Sequence, residues 1–151
     1  MKKLAVLVCP ECSIQEVTNA MYLFRWYYNV KTAIVSSSKD LVISEEGIHI
    51  QPEITVEDFN KDDYYALVLT GISDLRPVLD DNIILNFLRS LKDETEFIIG
   101  AIGSSPFLLS LTGILDNKKF TNSLWKEMNE EFKCIDINNF VYAPLIVVET
   151  S

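Results

Sequence analysis

Two cysteines in a Cys-x-x-Cys motif are the first residues whose spacing suggests chemistry. The motif, CPEC at residues 9–12, follows an apolar run and precedes a helical pattern. A thiol at a helix start can have a lowered pKa, which favours disulfide exchange. The motif also offers two of the four ligands of a structural zinc ion, but Cys134 and His49 are poor partners for it, and we predict no metal site. Cys9 and Cys12 therefore form either a redox-responsive pair or ordinary packing at a buried strand end.

A strand-to-helix turn at residues 101–106 is the second candidate. Its sequence, AIGSSP, joins a buried strand to a helix start with no loop between them. That geometry is a nucleophile elbow, in which the side chain at position 103 would stand above the sheet beside free backbone N–H groups. The residue there is Gly103. It either relieves a strained turn, since glycine tolerates such backbone angles, or leaves the floor of a pocket open.

The serines after this glycine are the remaining hydroxyl candidates. Ser104 is a possible hydrolase nucleophile, but no histidine lies near it in sequence to activate it. The only histidine, His49, is predicted to face solvent on an early hairpin. Ser105 is explained as a helix N-cap, because Pro106 follows at the first helical position.

The elements that position these segments follow from hydrophobic periodicity. Apolar runs typical of strands buried on both faces predict a mostly parallel sheet, and helical spacing predicts helices between them. The predicted strands are residues 4–9, 31–36, 65–70, 97–102 and 145–148, with a hairpin of 41–44 and 48–51; the helices are about 14–28, 81–92, 106–111 and 122–132. This alternation predicts an α/β three-layer sandwich, with sites at the carboxyl edge of the sheet, at 9–16, 70–74 and 102–106.

Glu16 has two interpretations at the start of the first helix. Together with Ser13 it fits a capping box, in which the two side chains satisfy each other's backbone N–H groups. The alternative is a pocket acid whose pKa is shifted by burial.

Composition limits the partners and the location. The 151 residues are 48% hydrophobic with a net charge of −9, which predicts one domain and opposes binding to nucleic acid or anionic lipid. The first apolar run is too short for a signal peptide or a membrane span, so we predict a cytoplasmic protein with free thiols.

Residues 101–121, AIGSSPFLLSLTGILDNKKFT, carry a resemblance to a known family. They resemble the elbow region of the ThiJ/PfpI (DJ-type) family, within the class I glutamine amidotransferase-like, flavodoxin-like fold. That region typically reads Ala-Ile-Cys-x-Gly-Pro, then an apolar helix and Gly-Leu-Leu-x-Gly-Lys-x-x-Thr. The order of the other strands and of the hairpin also agrees, so the resemblance covers nearly the whole chain.

The resemblance implies roles for six positions. The family's nucleophilic cysteine matches Gly103, and the acid that assists it matches Glu16. The histidine of active members matches about Ser123. Backbone N–H groups facing the pocket match Gly71 and Ile72, with Ser104 a further backbone donor. The cysteine and histidine side chains are therefore both expected to be missing.

The resemblance also implies a setting. It predicts a homodimer in a bacterial cytoplasm, no organic cofactor, and a small carbonyl or amide ligand. Relatives continue past the strand matching 145–148 into a further short strand and a closing helix, which residues 1–151 lack. We therefore expect a catalytically degenerate family member, with a Cys9/Cys12 redox protein and a Ser104 hydrolase as alternatives.

Overall fold

A computed structural model describes residues 1–131 and 136–148. Its strands are β1 (Lys3–Leu7), β2 (Thr32–Ser36), β3 (Val42–Ile43), β4 (His49–Ile50), β5 (Ile54–Thr55), β6 (Tyr64–Leu69) and β7 (Ile98–Ala101). Its helices are α1 (Gln15–Tyr27), α2 (Arg76–Leu79), α3 (Asn82–Ser90), α4 (Pro106–Ser110) and α5 (Lys126–Glu131), with short 3-10 helices at Lys61–Asp63 and Ile137–Asn139. The predicted α/β sandwich with a parallel sheet is confirmed.

The main sheet has the order β5-β2-β1-β6-β7, and every neighbouring pair is parallel. Strands β3 and β4 form the predicted hairpin beside it. The chain moves from β1 through α1 to β2 in one direction, and from β6 through α3 to β7 in the other. Right-handed crossovers therefore place α1 and α3 on opposite faces of the sheet. The carboxyl ends of β1, β6 and β7 lie side by side, which brings the three predicted site segments together.

The core fills the space between the sheet and its helices. Leu67 of β6, Leu88 of α3 and Phe107 of α4 are almost fully buried. At the start of β6, the ring of Phe59 stacks on that of Tyr64, with ring centroids 4.5 Å apart. This close packing fixes the positions of β6 and β7, and therefore also of the loops that follow them.

The start of α1 departs from the predicted capping box. Neither Ser13 nor Glu16 caps the helix; the carboxylate of Glu46, beyond β3, accepts hydrogen bonds from the N–H groups of Ile14 and Gln15 at 3.3 and 3.0 Å. Ser13 donates its hydroxyl to the same carboxylate at 3.5 Å. A charged acceptor from the hairpin therefore replaces the local cap, which frees Glu16 for another partner.

Three further predictions differ from the structure. Ser105 makes no side-chain cap, and its hydroxyl donates instead to the carbonyl of Thr70. The last predicted helix, 122–132, begins later than predicted, at Lys126, and its predicted end at Phe132 lies outside the described residues. Residues 145–148 form no strand; they line a cavity beside β7 rather than pairing with it. An apolar run needs a hydrogen-bonding partner before it becomes a strand.

Candidate functional site

Four of the predicted site residues meet at one point above the sheet. Gly103 lies in the left-handed region with φ of +62°, between the end of β7 and the start of α4. A Cβ atom placed on it would lie 3.2 Å from the Cα of Gly71, 3.5 Å from Glu16 Oε1 and 3.6 Å from Ser123 Oγ. A side chain at position 103 would thus point between a carboxylate and a hydroxyl. The backbone of the turn has the shape of a nucleophile elbow without its side chain.

The carboxylate of Glu16 is held by the loop after β6. Its Oε2 accepts a hydrogen bond from the N–H of Gly71 at 2.6 Å. A Cβ on Gly71 would lie 2.7 and 2.9 Å from the two Glu16 oxygens, closer than a side chain can approach. With the carboxylate in this place there is no room for a Cβ at position 71, so any other residue there would displace the Glu16 side chain.

A second hydroxyl holds the next residue of the same loop. The hydroxyl of Ser104 accepts from the N–H of Ile72 at 3.0 Å and donates to the carbonyl of Ile72 at 2.9 Å. Ser104 is 5% exposed. The N–H groups of Gly71 and Ile72, predicted to face a ligand, thus both donate to side chains of the chain itself. The Ser104 hydroxyl is likewise engaged with backbone on both sides.

Ser123, the position that the resemblance matches approximately to a histidine, lies on the other side of the site. Its N–H donates to the carbonyl of Gly103 at 2.9 Å, which ties the segment after α4 to the elbow. Ser123 and Glu16 are exposed, whereas Gly71 is buried. The space above Gly103 is therefore closed beneath by Gly71 and open to solvent past the carboxylate and the hydroxyl.

A wide apolar cavity adjoins the site. Its volume is about 1070 Å³, and Gly103 and Ser123 lie on its wall. Strand β7 and residues 143–148 form two of its other walls. A ligand held at Gly103 can therefore extend an apolar portion along β7.

The Cys-x-x-Cys segment lies near the elbow but has a different environment. Cys9 and Cys12 are buried and not joined in a disulfide. Burial raises the pKa of Cys9 to about 12, and burial also raises the pKa of Cys12. A raised pKa disfavours the thiolate that disulfide exchange requires.

The other metal and catalytic candidates remain apart. His49 is exposed on β4, and Cys134 lies outside the described residues. Across residues 1–131 and 136–148, no three metal-ligating side chains cluster. The same residues contain no helix that is long and apolar enough to cross a bilayer.

Sequence reasoning missed two contacts of the site. Glu46 accepts hydrogen bonds from the start of α1, and Ser104 is hydrogen-bonded directly to Ile72, 32 positions earlier in the chain. Neither contact has a local sequence signal, because both depend on which loops the sheet brings together.

Comparison by sequence gives two uncharacterized relatives. An uncharacterized protein of Methanocaldococcus jannaschii is 29% identical over 133 residues, which cover 87% of this chain and 64% of that protein. A homologue of another uncharacterized protein, from Mycoplasma pneumoniae, is 29% identical over 110 residues, which cover 72% of this chain and all of that protein. This chain thus spans less than two thirds of the archaeal relative.

Solved structures share the fold at low identity. A DJ-1 superfamily protein of Agrobacterium tumefaciens matches with a TM-score of 0.81 and 16% identity, over 95% of this chain and 76% of that chain. Drosophila melanogaster DJ-1beta matches with a TM-score of 0.75 and 20% identity, over 99% and 78% of the two chains. The model of the DJ-1/PfpI family matches residues 2–139. With the elbow, the sheet order and this match all in agreement, the chain belongs to the DJ-1/PfpI family.

Proposed function

We propose that this chain is a catalytically inactive member of the DJ-1/PfpI family that binds a small carbonyl or amide ligand without covalent chemistry, as a cytoplasmic homodimer. The observation that carries this proposal is the glycine at the elbow: φ is +62° at Gly103, and no side chain occupies the space between Glu16 and Ser123. Because the elbow lacks a nucleophile, the site binds without forming a bond.

The groups around the empty space favour an amide. The Glu16 carboxylate is a hydrogen-bond acceptor with one oxygen already bonded to Gly71, and the Ser123 hydroxyl both donates and accepts. An amide NH₂ donates to Glu16 Oε1 while its carbonyl accepts from Ser123. An oxyanion would find fewer free hydrogen-bond donors, because the N–H groups of Gly71 and Ile72 already donate to Glu16 and Ser104.

The two alternatives receive less support. A redox function needs accessible thiolates, and Cys9 and Cys12 are buried with raised pKa values. A hydrolase needs a free hydroxyl beside a base, whereas Ser104 is buried and bonded to Ile72 through both its donor and its acceptor.

Turnover measurements test the inactive state. The native chain is expected to show no cysteine-dependent glyoxalase, deglycase or peptidase activity. The Gly103→Cys variant tests whether the pocket has otherwise survived, and activity in it should disappear on adding Glu16→Gln. Native turnover that persists after alkylation of all three cysteines would contradict the proposal.

Ligand binding is tested by filling the space above the elbow. Small amides and aldehydes should raise the melting temperature of the native chain and leave that of Gly103→Leu unchanged. The matched control is Gly47→Leu, because Gly47 also has a positive φ, +78°, but a Cβ there meets nothing within 4 Å. Both variants place a side chain on a residue with positive φ, and only the first fills the pocket. An equal ligand response in both would place binding elsewhere.

A further inference from the structure

The cavity beside β7 is polar at the elbow and apolar along its middle. Gly103 and Ser123 lie on its wall at the elbow, where Ser123 offers a hydroxyl. The exposed side chains of Ile98 and Leu145 lie on the wall further along, with exposed fractions of 65% and 72%. Half-buried apolar side chains line the stretch between, namely Ile99, Ala101, Ile102, Ile114 and Leu115. Concave apolar surface next to a few polar groups is typical of a ligand site.

Charged side chains lie at the end of the cavity away from the elbow. Lys92, Glu94 and Glu96 precede β7 in the chain, and all three line the cavity. Lys92 Nζ lies 3.6 Å from Asp116 Oδ2, so the turn that contains Asp116 is at this end as well. Residues 97–102, FIIGAI, form the wall between the two ends and contain no charged residue. The site therefore has a short polar end, an apolar stretch and a charged end.

The apolar stretch has the length of a medium alkyl chain. Ile98 precedes Gly103 by five positions, so at about 3.3 Å per residue the wall is roughly 16 Å long. An extended zigzag of carbon–carbon bonds of about 1.5 Å reaches this length with roughly a dozen carbons. The cavity volume of about 1070 Å³ is at the upper end for ligand pockets, so such a chain has room.

The charge of Glu16 distinguishes an amide from an acid at the polar end. Its Oε1 lies 3.5 Å from the position of a Cβ on Gly103. Within residues 1–131 and 136–148, no lysine, arginine or histidine forms an ion pair with Glu16. A fatty acid would place a second carboxylate beside this uncompensated one, and the two would repel each other. An uncharged amide of the same chain length donates an N–H to Glu16 instead.

We propose that the site binds a primary amide with a single alkyl chain, with the amide between Glu16 and Ser123 and the chain along β7, and that it rejects the corresponding fatty acid. This inference rests on the proposed function, because it narrows the small amides proposed there to amphipathic ones. Full burial of one CH₂ group raises affinity about fourfold. Because the wall contains exposed residues, we expect about two- to fourfold for each CH₂ group of the chain.

Isothermal titration calorimetry with four probes tests both ends of the ligand. For the native chain, affinity should rise by that factor per CH₂ group from butanamide through hexanamide to decanamide. Decanoate should bind at least tenfold more weakly than decanamide. In Glu16→Gln the difference between decanoate and decanamide should shrink, because glutamine carries no charge and its NH₂ group donates to a carboxylate.

A charge placed in the apolar stretch tests where the chain lies. Ile98→Glu should weaken decanamide at least tenfold and leave butanamide unchanged, because only the longer chain extends to residue 98. Ile83→Glu is the matched control: Ile83 is 57% exposed on α3 and does not line the cavity. This variant should bind all the amides like the native chain. Circular dichroism checks that both variants are folded.

The outcomes separate this inference from the proposed function. If no amide binds, both are overturned. If the amides bind with the same affinity at every chain length, or if the two glutamate variants weaken decanamide equally, only this inference is overturned. The same holds if decanoate binds the native chain as tightly as decanamide does. Slow hydrogen exchange at residues 145–148 of the ligand-free chain would also overturn it, because pairing of this segment with β7 leaves no room for the alkyl chain.

Discussion

The contact between Glu16 and Gly71 predicts a specific cost for one added methyl group. In Gly71→Ala, the new Cβ would lie 2.7 and 2.9 Å from the carboxylate oxygens of Glu16. The carboxylate is the far end of a flexible, exposed side chain, so it can swing into solvent. Moving it breaks the 2.6 Å hydrogen bond from the Gly71 N–H.

Two opposing contributions set the size of the effect. A hydrogen bond to a charged group contributes about 1.5–3 kcal/mol, and the exposure of Glu16 places it at the lower end. Alanine restricts the unfolded chain and recovers about 0.4–1 kcal/mol. We therefore expect Gly71→Ala to lower the free energy of unfolding by about 1 kcal/mol.

A double-mutant cycle measured by urea unfolding checks this explanation. In the Glu16→Ala background nothing blocks the new methyl group, so Gly71→Ala should become neutral or stabilising by up to about 1 kcal/mol. Gly100→Ala is the control in a strand: its Cβ would meet only Val68 Cγ2, at 3.8 Å, and it should stabilise by about 0.5–1 kcal/mol. The reasoning is refuted if Gly71→Ala has the same effect in both backgrounds.

Two further predictions concern titrating groups outside the elbow. Hydrogen bonds from the backbone N–H groups at the start of α1, led by that of Gln15, lower the pKa of Glu46 to about 2. Since the folded pKa lies below the unfolded value, Glu46 should stabilise the native chain above about pH 4.5 and lose that contribution as the pH falls towards 2, by at most about 1 kcal/mol after solvent screening. Glu46→Gln should flatten this part of the acid unfolding profile. For the thiols, the raised pKa values predict that in Cys134→Ser neither Cys9 nor Cys12 reacts with iodoacetamide at pH 8 until the chain is unfolded in urea.

Each of these predictions has a matched control and a contradicting result. Glu45→Gln removes the same charge from the neighbouring residue and should leave the acid profile as it is in the native chain; if both variants change it equally, net charge rather than capping is responsible. Rapid alkylation of the folded chain, or a reversible Cys9–Cys12 disulfide, would instead favour the redox alternative.

Much of the architecture could be read from hydrophobic patterning. Continuous apolar runs predicted β1, β6 and β7, because strands buried on both faces leave no room for alternation. The elbow could be read locally as well, since a buried strand, a glycine and a proline at a helix start lie within six residues. That the elbow position carries no side chain followed from a single letter, Gly103.

The predictions that were wrong each depended on a competitor or a partner far away in the sequence. Ser13 and Glu16 have the spacing of a capping box, but Glu46 reaches the start of α1 and supplies a better acceptor. Serine is a common N-cap residue, but the hydroxyl of Ser105 donates to the carbonyl of Thr70 instead. Residues 145–148 have strand composition, but they border a cavity beside β7 and do not pair with it.

The sequence by itself determined the fold class, the order of the main strands and the missing side chain of the elbow, because these depend on residue type and local spacing. The tertiary structure decided which groups meet there: Glu16 with Gly71, Ser104 with Ile72, and Ser123 with Gly103. Parallel strands that are distant in sequence end at one edge of the sheet, and only their packing brings those groups within hydrogen-bonding distance.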